Sequence, residues 1–308
     1  MEVFFKRIVS ALLAVLMATG CGLAFGACAG GKDKPSPASH GSEEGAPCRI
    51  VTIGAGEWGS KHGLTYDHVQ NLTQIPDESR EGEKRTIEFA GREYELSFIR
   101  RVSFVVGDYT VDEYEIVSDD PALKDVRTLV RLLPDGSIGQ IALLYGTLAS
   151  INIKKNKSEK KMAAAVAEAL KSEIDVSGFE HFKVSKPDKE KRIYDYSVRW
   201  YNETNGLEHG DSVTVSLDPE GNIFRVLMKC NAVRGLDKAP ELKLEDYLPA
   251  IEAKLAEIYG EVKDYEFRSE LLTVVEGSPC IFCKGDVEFE SEGGTATDLF
   301  QFAVIPEN

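Results

Sequence analysis

Val213-Thr214-Val215-Ser216-Leu217-Asp218-Pro219-Glu220-Gly221-Asn222-Ile223 reads as a strand, a tight turn and the start of a returning strand. Val213, Val215 and Leu217 alternate with polar residues, the period of a half-buried strand. Pro219 fixes a turn φ and Gly221 supplies a left-handed one, so Ile223 to Met228 can fold back as the partner. Upstream, Tyr194 to Tyr201 is a strand rich in aromatic residues, and Phe182 to Val184 precedes it. Before these the period changes. Met162, Ala165, Val166, Ala169 and Leu170 fall on one helical face within Lys157 to Glu173, with Lys160, Lys161, Glu168 and Lys171 off it. A helix burying one stripe against one face of an antiparallel sheet is the α+β arrangement.

The same order recurs toward the C-terminus. Tyr247, Leu248, Ile251, Leu255, Ile258 and Tyr259 make a second helical stripe, with Pro249 in its first turn and Gly260 placed to stop it. Strands follow at Tyr265 to Val275, Ile281 to Phe289 and Thr297 to Val304. Toward the N-terminus, residues 84–146 alternate throughout and turn at Leu133-Pro134-Asp135-Gly136. The expected fold is α+β: antiparallel sheets each covered by one helix, with two helix-plus-strands repeats after a β-rich region.

The helix at Lys157 to Glu173, the aromatic strand and the hairpin ending in Asp218-Pro219-Glu220-Gly221 resemble a PepSY or YpeB-like unit, and the second helix with its strands resembles a weaker copy. The resemblance covers about half the chain. It implies two PepSY-like repeats, and a role like that of bacterial lipoproteins or regulators of extracellular peptidases. It brings no catalytic residues with it.

At the N-terminus, Lys6 and Arg7 precede an uncharged stretch from Ile8 to Ala27, the order of an export signal. Gly20, Gly22 and Gly26 dilute its second half, which favours processing over a spanning helix, for which about 20 apolar residues are needed. Ala18-Thr19-Gly20-Cys21 and Phe25-Gly26-Ala27-Cys28 both resemble a lipobox. Cys28 is the preferred lipidation site and Cys21 the alternative, because Ala29 to Gly45 is a polar tether too poor in apolar area to fold. A plain secretory cut near Ala27 or Ala29 is the competing reading. The expected organisation is an export signal at 1–27, a tether at 28–48, a β-rich region at 49–150, and α+β units at 151–235 and 236–308. The location that follows is the outer face of the cell membrane, held by lipid, or else the secreted fraction.

Charge narrows the partners. The whole chain carries −15; Lys6 and Arg7 against Glu2 give residues 1–27 a net +1, leaving −16 beyond them. Such a chain without a basic stripe is a poor fit for nucleic acid, and anionic lipid repels it, so membrane attachment falls to the anchor.

Three motifs invite chemistry. Gly54-Ala55-Gly56-Glu57-Trp58-Gly59 has the GxGxxG spacing after Ile50 to Ile53. The residues that follow carry no amphipathic stripe, so the expectation is a Gly-rich loop beside an edge strand that binds no nucleotide. Cys280-Ile281-Phe282-Cys283 is a CxxC on strand-like flanks, where residues three apart face opposite ways. With Cys48 and Cys230 these four are expected to be structural thiols or disulfides, and sequence does not choose among the three full pairings. His62 and His68 near Glu57 and Asp67, and His209 near Glu208 and Asp211, lack regular metal-ligand spacing and read as loop or turn residues. No metal, cofactor or catalytic set is expected. The function expected is therefore that of a non-enzymatic envelope lipoprotein binding a protein partner, with modulation of an extracellular peptidase as one form of it. The alternative is an extracytoplasmic solute- or metal-binding protein using Gly54 to His68.

Overall fold

A computed structural model describes residues 45–54, 56–117, 127–144, 146–188, 193–228 and 242–307. The export signal, Cys21, Cys28, the tether up to residue 44 and Cys230 lie outside these residues. The described chain holds fifteen strands and three α-helices. The strands are β1 (Cys48–Thr52), β2 (Leu72–Ile75), β3 (Lys84–Phe89), β4 (Arg92–Phe104), β5 (Tyr109–Val117), β6 (Arg127–Leu132), β7 (Ile138–Leu144), β8 (Ala149–Ser150), β9 (His181–Ser185), β10 (Tyr196–Thr204), β11 (Leu207–Leu217), β12 (Asn222–Met228), β13 (Val262–Val275), β14 (Ser278–Ser291) and β15 (Gly294–Pro306). The helices are α1 (Glu57–His62), α2 (Glu159–Ala169) and α3 (Leu248–Tyr259). Two compact units are assembled from non-contiguous segments. One takes Thr73–Leu244 with Leu271–Phe282; the other takes the chain up to Leu72, Glu245–Glu270 and the chain from Cys283 onward.

In the larger unit the strands neighbour one another in the order β9-β10-β11-β12-β7-β6-β5-β4, with β3 also on β4. These ladders are antiparallel, whereas Leu271 and Leu272 run parallel to Glu208 and His209, so the pairing is mixed. Two-residue turns with both φ positive close β3 to β4 at Ala90-Gly91 and β10 to β11 at Asn205-Gly206. That geometry matches the twist of paired strands and favours Gly at its second position. The Pro-containing turns form as expected. Gly221 has φ 96° and donates to Asp218 O. A Cβ at Gly221 would sit 2.3 Å from Ile151 O, so glycine is needed there for space as well.

Helix α2 lies on one face of this sheet. Ser158 caps it by accepting from Lys161 N. Its stripe residues Met162, Val166 and Leu170 are buried with Val198, Trp200, Val213, Val215, Leu217 and Ile223. The same core continues through Ile141, Leu143, Val130, Tyr114 and Leu96 to Phe89. Burying stripes of this kind contributes about 1.5–3 kcal/mol per large apolar side chain before the entropy of ordering is counted. Glu173, expected in the helix, lies past its end and instead accepts from Ala90 N in the β3–β4 turn at 2.9 Å.

In the smaller unit β1 pairs antiparallel with β15, from Cys48↔Pro306 to Thr52↔Phe302. The order continues to β14 and β13. Helix α3 begins with Pro249 in its first turn and ends at Gly260, φ 78°. Tyr247, Ile251, Leu255 and Tyr259 are buried, and the Tyr259 and Trp58 rings pack around Phe289 at 4.8 and 4.7 Å.

These findings correct the expected fold class. The protein is a predominantly β, mixed-sheet molecule with few helices, not an α+β fold of two PepSY-like repeats. Both helical stripes are real, yet the strands after them do not repeat. β13 and β14 have 14 residues each, against 9, 11 and 7 for β10, β11 and β12. The first α+β unit shares one core with β3–β7, and β15 finds its partner at the opposite end of the chain. Helical period is a local property, whereas pairing partners and strand lengths are set by tertiary packing.

Candidate functional site

The GxGxxG stretch sits in the smaller unit, and a helix does follow it, against the expected loop. Gly56 is the N-cap of the six-residue α1. Its first amides already hold an anion from the chain itself. Trp58 N donates to Asp298 Oδ1 at 3.2 Å and Gly59 N to Asp298 Oδ2 at 3.0 Å, while Tyr259 Oη donates to the same Oδ2 at 3.3 Å. A carboxylate at a helix N-terminus meets unsatisfied N–H groups and the positive end of the peptide dipoles. The glycines make room for it. A Cβ on Gly56 would lie 2.0 Å from Asp298 Oδ1, and one on Gly59 would lie 2.0 Å from Tyr66 Oη. Gly54, φ 76°, packs against Gln301. Burial, followed by the Asp298 charge, pushes the Tyr259 phenol well above the usual tyrosine range. The motif thus cradles Asp298 where a dinucleotide fold would hold pyrophosphate.

The neighbouring polar residues are similarly engaged. Asp67 accepts from Thr52 N at 2.7 Å and Thr52 Oγ1 at 2.8 Å; burial pushes its carboxyl up, but these bonds hold it below the usual range. His62 Nδ1–H donates to Trp58 O at 2.8 Å, and its ring stacks on Trp58. Glu57 pairs with Lys61, and His68 pairs through its backbone with Thr52 and Gly54. Among the described residues, no group of three or more His, Cys, Asp or Glu is placed to hold a metal ion.

Cys48, Cys280 and Cys283 are thiols. Cys280 and Cys283 are buried on β14, and burial pushes the Cys280 thiol up to about 12, so it is protonated and a poor nucleophile at neutral pH. Cys48 begins β1, with its thiol raised by burial and then by Glu307.

In the larger unit, Glu208, His209 and Asp211 lie on β11 rather than in a turn. Glu208 pairs with Lys183 and Arg199. His209 Nε2 bonds Thr204 Oγ1 at 2.8 Å, and burial lowers its pKa. Asp211 has Oδ1 buried without a partner, and burial raises its carboxyl to about 6. A second charged cluster runs across β4, β5, β6 and β7: Arg100, Glu113, Arg131 and Gln140 stand in register and bond in a row. Glu113 and Arg131 are almost fully buried and satisfied by each other, which marks them as structural.

One edge of the sheet in this unit carries an exposed aromatic side chain. β9 is an edge strand: among the described residues it pairs with β10 alone. Phe182 on it is 40% exposed. His181 leans on the Tyr201 ring at 5.7 Å, and Lys183 Nζ lies over that ring at 5.3 Å. Beyond Ser185, at the end of β9, a groove of about 250 Å³ is lined by Ile153, Lys154, Lys157, Met162, Lys186 and Tyr196. Sequence reading identified β9 but did not single it out, because openness of an edge depends on which strands fail to pair.

No helix among the described residues is long and apolar enough to cross a membrane. No family model matches the chain, and no curated protein matches it.

Proposed function

We propose that this protein acts by binding rather than by turnover, as an envelope lipoprotein anchored through Cys28, or Cys21, that captures an extended segment of a partner protein along β9. The observation that supports this reading is that β9 pairs with β10 alone among the described residues, with Phe182 exposed on it. An unpaired edge offers a row of backbone donors and acceptors, and an extended peptide gains affinity by completing the ladder. Exposed apolar side chains at the edge add contact area and selectivity. An extracellular peptidase is one partner class that presents extended segments. The test is capture from detergent-solubilised envelopes using the full chain and its Phe182→Asp variant. The same partner should be enriched by the wild type and lost with the variant. Equal recovery with both proteins removes β9 from the function.

A further inference from the structure

We propose that the segment captured on β9 is acidic, and that its carboxylates are received by the lysine-lined groove at the Ser185 end of the strand. This rests on the edge-binding reading above. The chain as a whole is strongly acidic, at −15, yet the groove inverts that sign. Lys154, Lys157 and Lys186 stand on its rim, while Ile153, Met162 and the Tyr196 ring supply apolar lining. Lys186 is 3.5 Å from Glu159; Lys154 and Lys157 make no ion pair among the described residues. Ammonium groups that make no ion pair among the described residues repel one another and lower their energy by meeting carboxylates.

The placement links groove and edge. Ser185 pairs with Ser197, so Lys186 and Tyr196 stand beside each other just past that last rung. A peptide running along β9 past Ser185 arrives at Lys186, which is one of the residues that line the groove. Its β-period directs alternate side chains to one face. A segment whose carboxylates all fall on the face turned to the groove matches its ammonium groups. The general acidity of the chain then works as discrimination, since an anionic segment is repelled elsewhere and accepted here.

The test uses the full chain and three fluorescent eight-residue peptides: alternating Glu and Val, alternating Lys and Val, and alternating Ser and Val. Binding is read by anisotropy at two salt concentrations, and amide hydrogen exchange is followed at His181 to Ser185. The expected result is that the Glu peptide binds at least about tenfold more tightly than the others, weakens with salt, and protects the β9 amides. Lys154→Glu combined with Lys157→Glu, both exposed and safe for folding, should reverse the preference toward the Lys peptide. If all three peptides bind equally and protect β9, edge binding stands and the acidic-partner inference is overturned. If the Glu peptide binds without protecting β9, the groove is a separate anion site and both statements fail in this form. If no peptide binds, both fail.

Discussion

Asp298 shows how one residue decides what a motif means. Gly54, Gly56 and Gly59 carry a spacing associated with phosphate binding, but the anion that fills it is supplied 240 positions along the chain from Trp58. We expect Gly56→Ala to lower stability by about 1–3 kcal/mol, because the added methyl meets a buried carboxylate with nowhere to go. Chemical denaturation of the variant checks this; an unchanged midpoint would mean the cradle is loose. Asp211 gives the opposite electrostatic case. Its folded-state pKa of about 6 lies above the ordinary 3.8, so the native state binds the extra proton and stability falls as pH rises between those values. With its partial exposure discounted, the loss is about 1–2 kcal/mol above pH 6. Asp211→Asn should therefore raise the melting temperature at pH 7 and leave it unchanged near pH 4. A gain of equal size at both pH values would contradict the titration. The glycine spacing was visible in the sequence, whereas Asp298 was not, since nothing local marks a carboxylate that caps a distant helix. The same limit hid Asp211: Glu208-His209-Gly210-Asp211 looks like a turn until Gly210 is seen packed against Thr273 of β13.

At the scale of elements, the helices were the most legible parts. The period of Met162, Val166 and Leu170 and that of Ile251 and Leu255 identified buried stripes, and all five residues are almost fully buried. Leu170→Ala and Leu255→Ala should each cost about 2–5 kcal/mol, measured by denaturation. A cost below 1 kcal/mol at either site would mean that the helix is only loosely packed. The Pro-Asp-Gly and Pro-Glu-Gly turns were legible for the same reason, since their geometry depends on residues within four positions. Sheet organisation was not. Alternation announces strands but not their partners, and the β1–β15 and β11–β13 pairings join residues remote in sequence. A helix-then-strands order therefore looked like a repeat, although the strands belong to mixed β units. The row of Arg100, Glu113 and Arg131 was likewise invisible until register brought it together. Glu113→Ala should destabilise by about 3–5 kcal/mol by stranding the buried Arg131, with denaturation again the readout.

At the scale of the whole molecule, the proposed role combines a lipid anchor, an acidic body and the edge of β9. Lipid attachment predicts that Cys28→Ser releases the protein or blocks its maturation, with Cys21→Ser testing the rival site; lipid labelling unchanged in both variants would contradict it. In the proposed role, a net charge of −15 turns such a body away from anionic surfaces, and the locally basic groove and the β9 edge are its points of engagement. The acidity is legible in the composition, while the basic groove emerges only from folding, because Lys154, Lys157 and Lys186 become neighbours through the packing of α2 beside β9 and β10. The most direct measurement is photo-crosslinking in intact envelopes from a benzophenone side chain substituted for Phe182, with Glu93 on β4 as the control position. Binding along β9 predicts a light-dependent adduct with one partner protein from position 182 and none from position 93. Absence of any adduct at 182, or the same adducts from both positions, would contradict it.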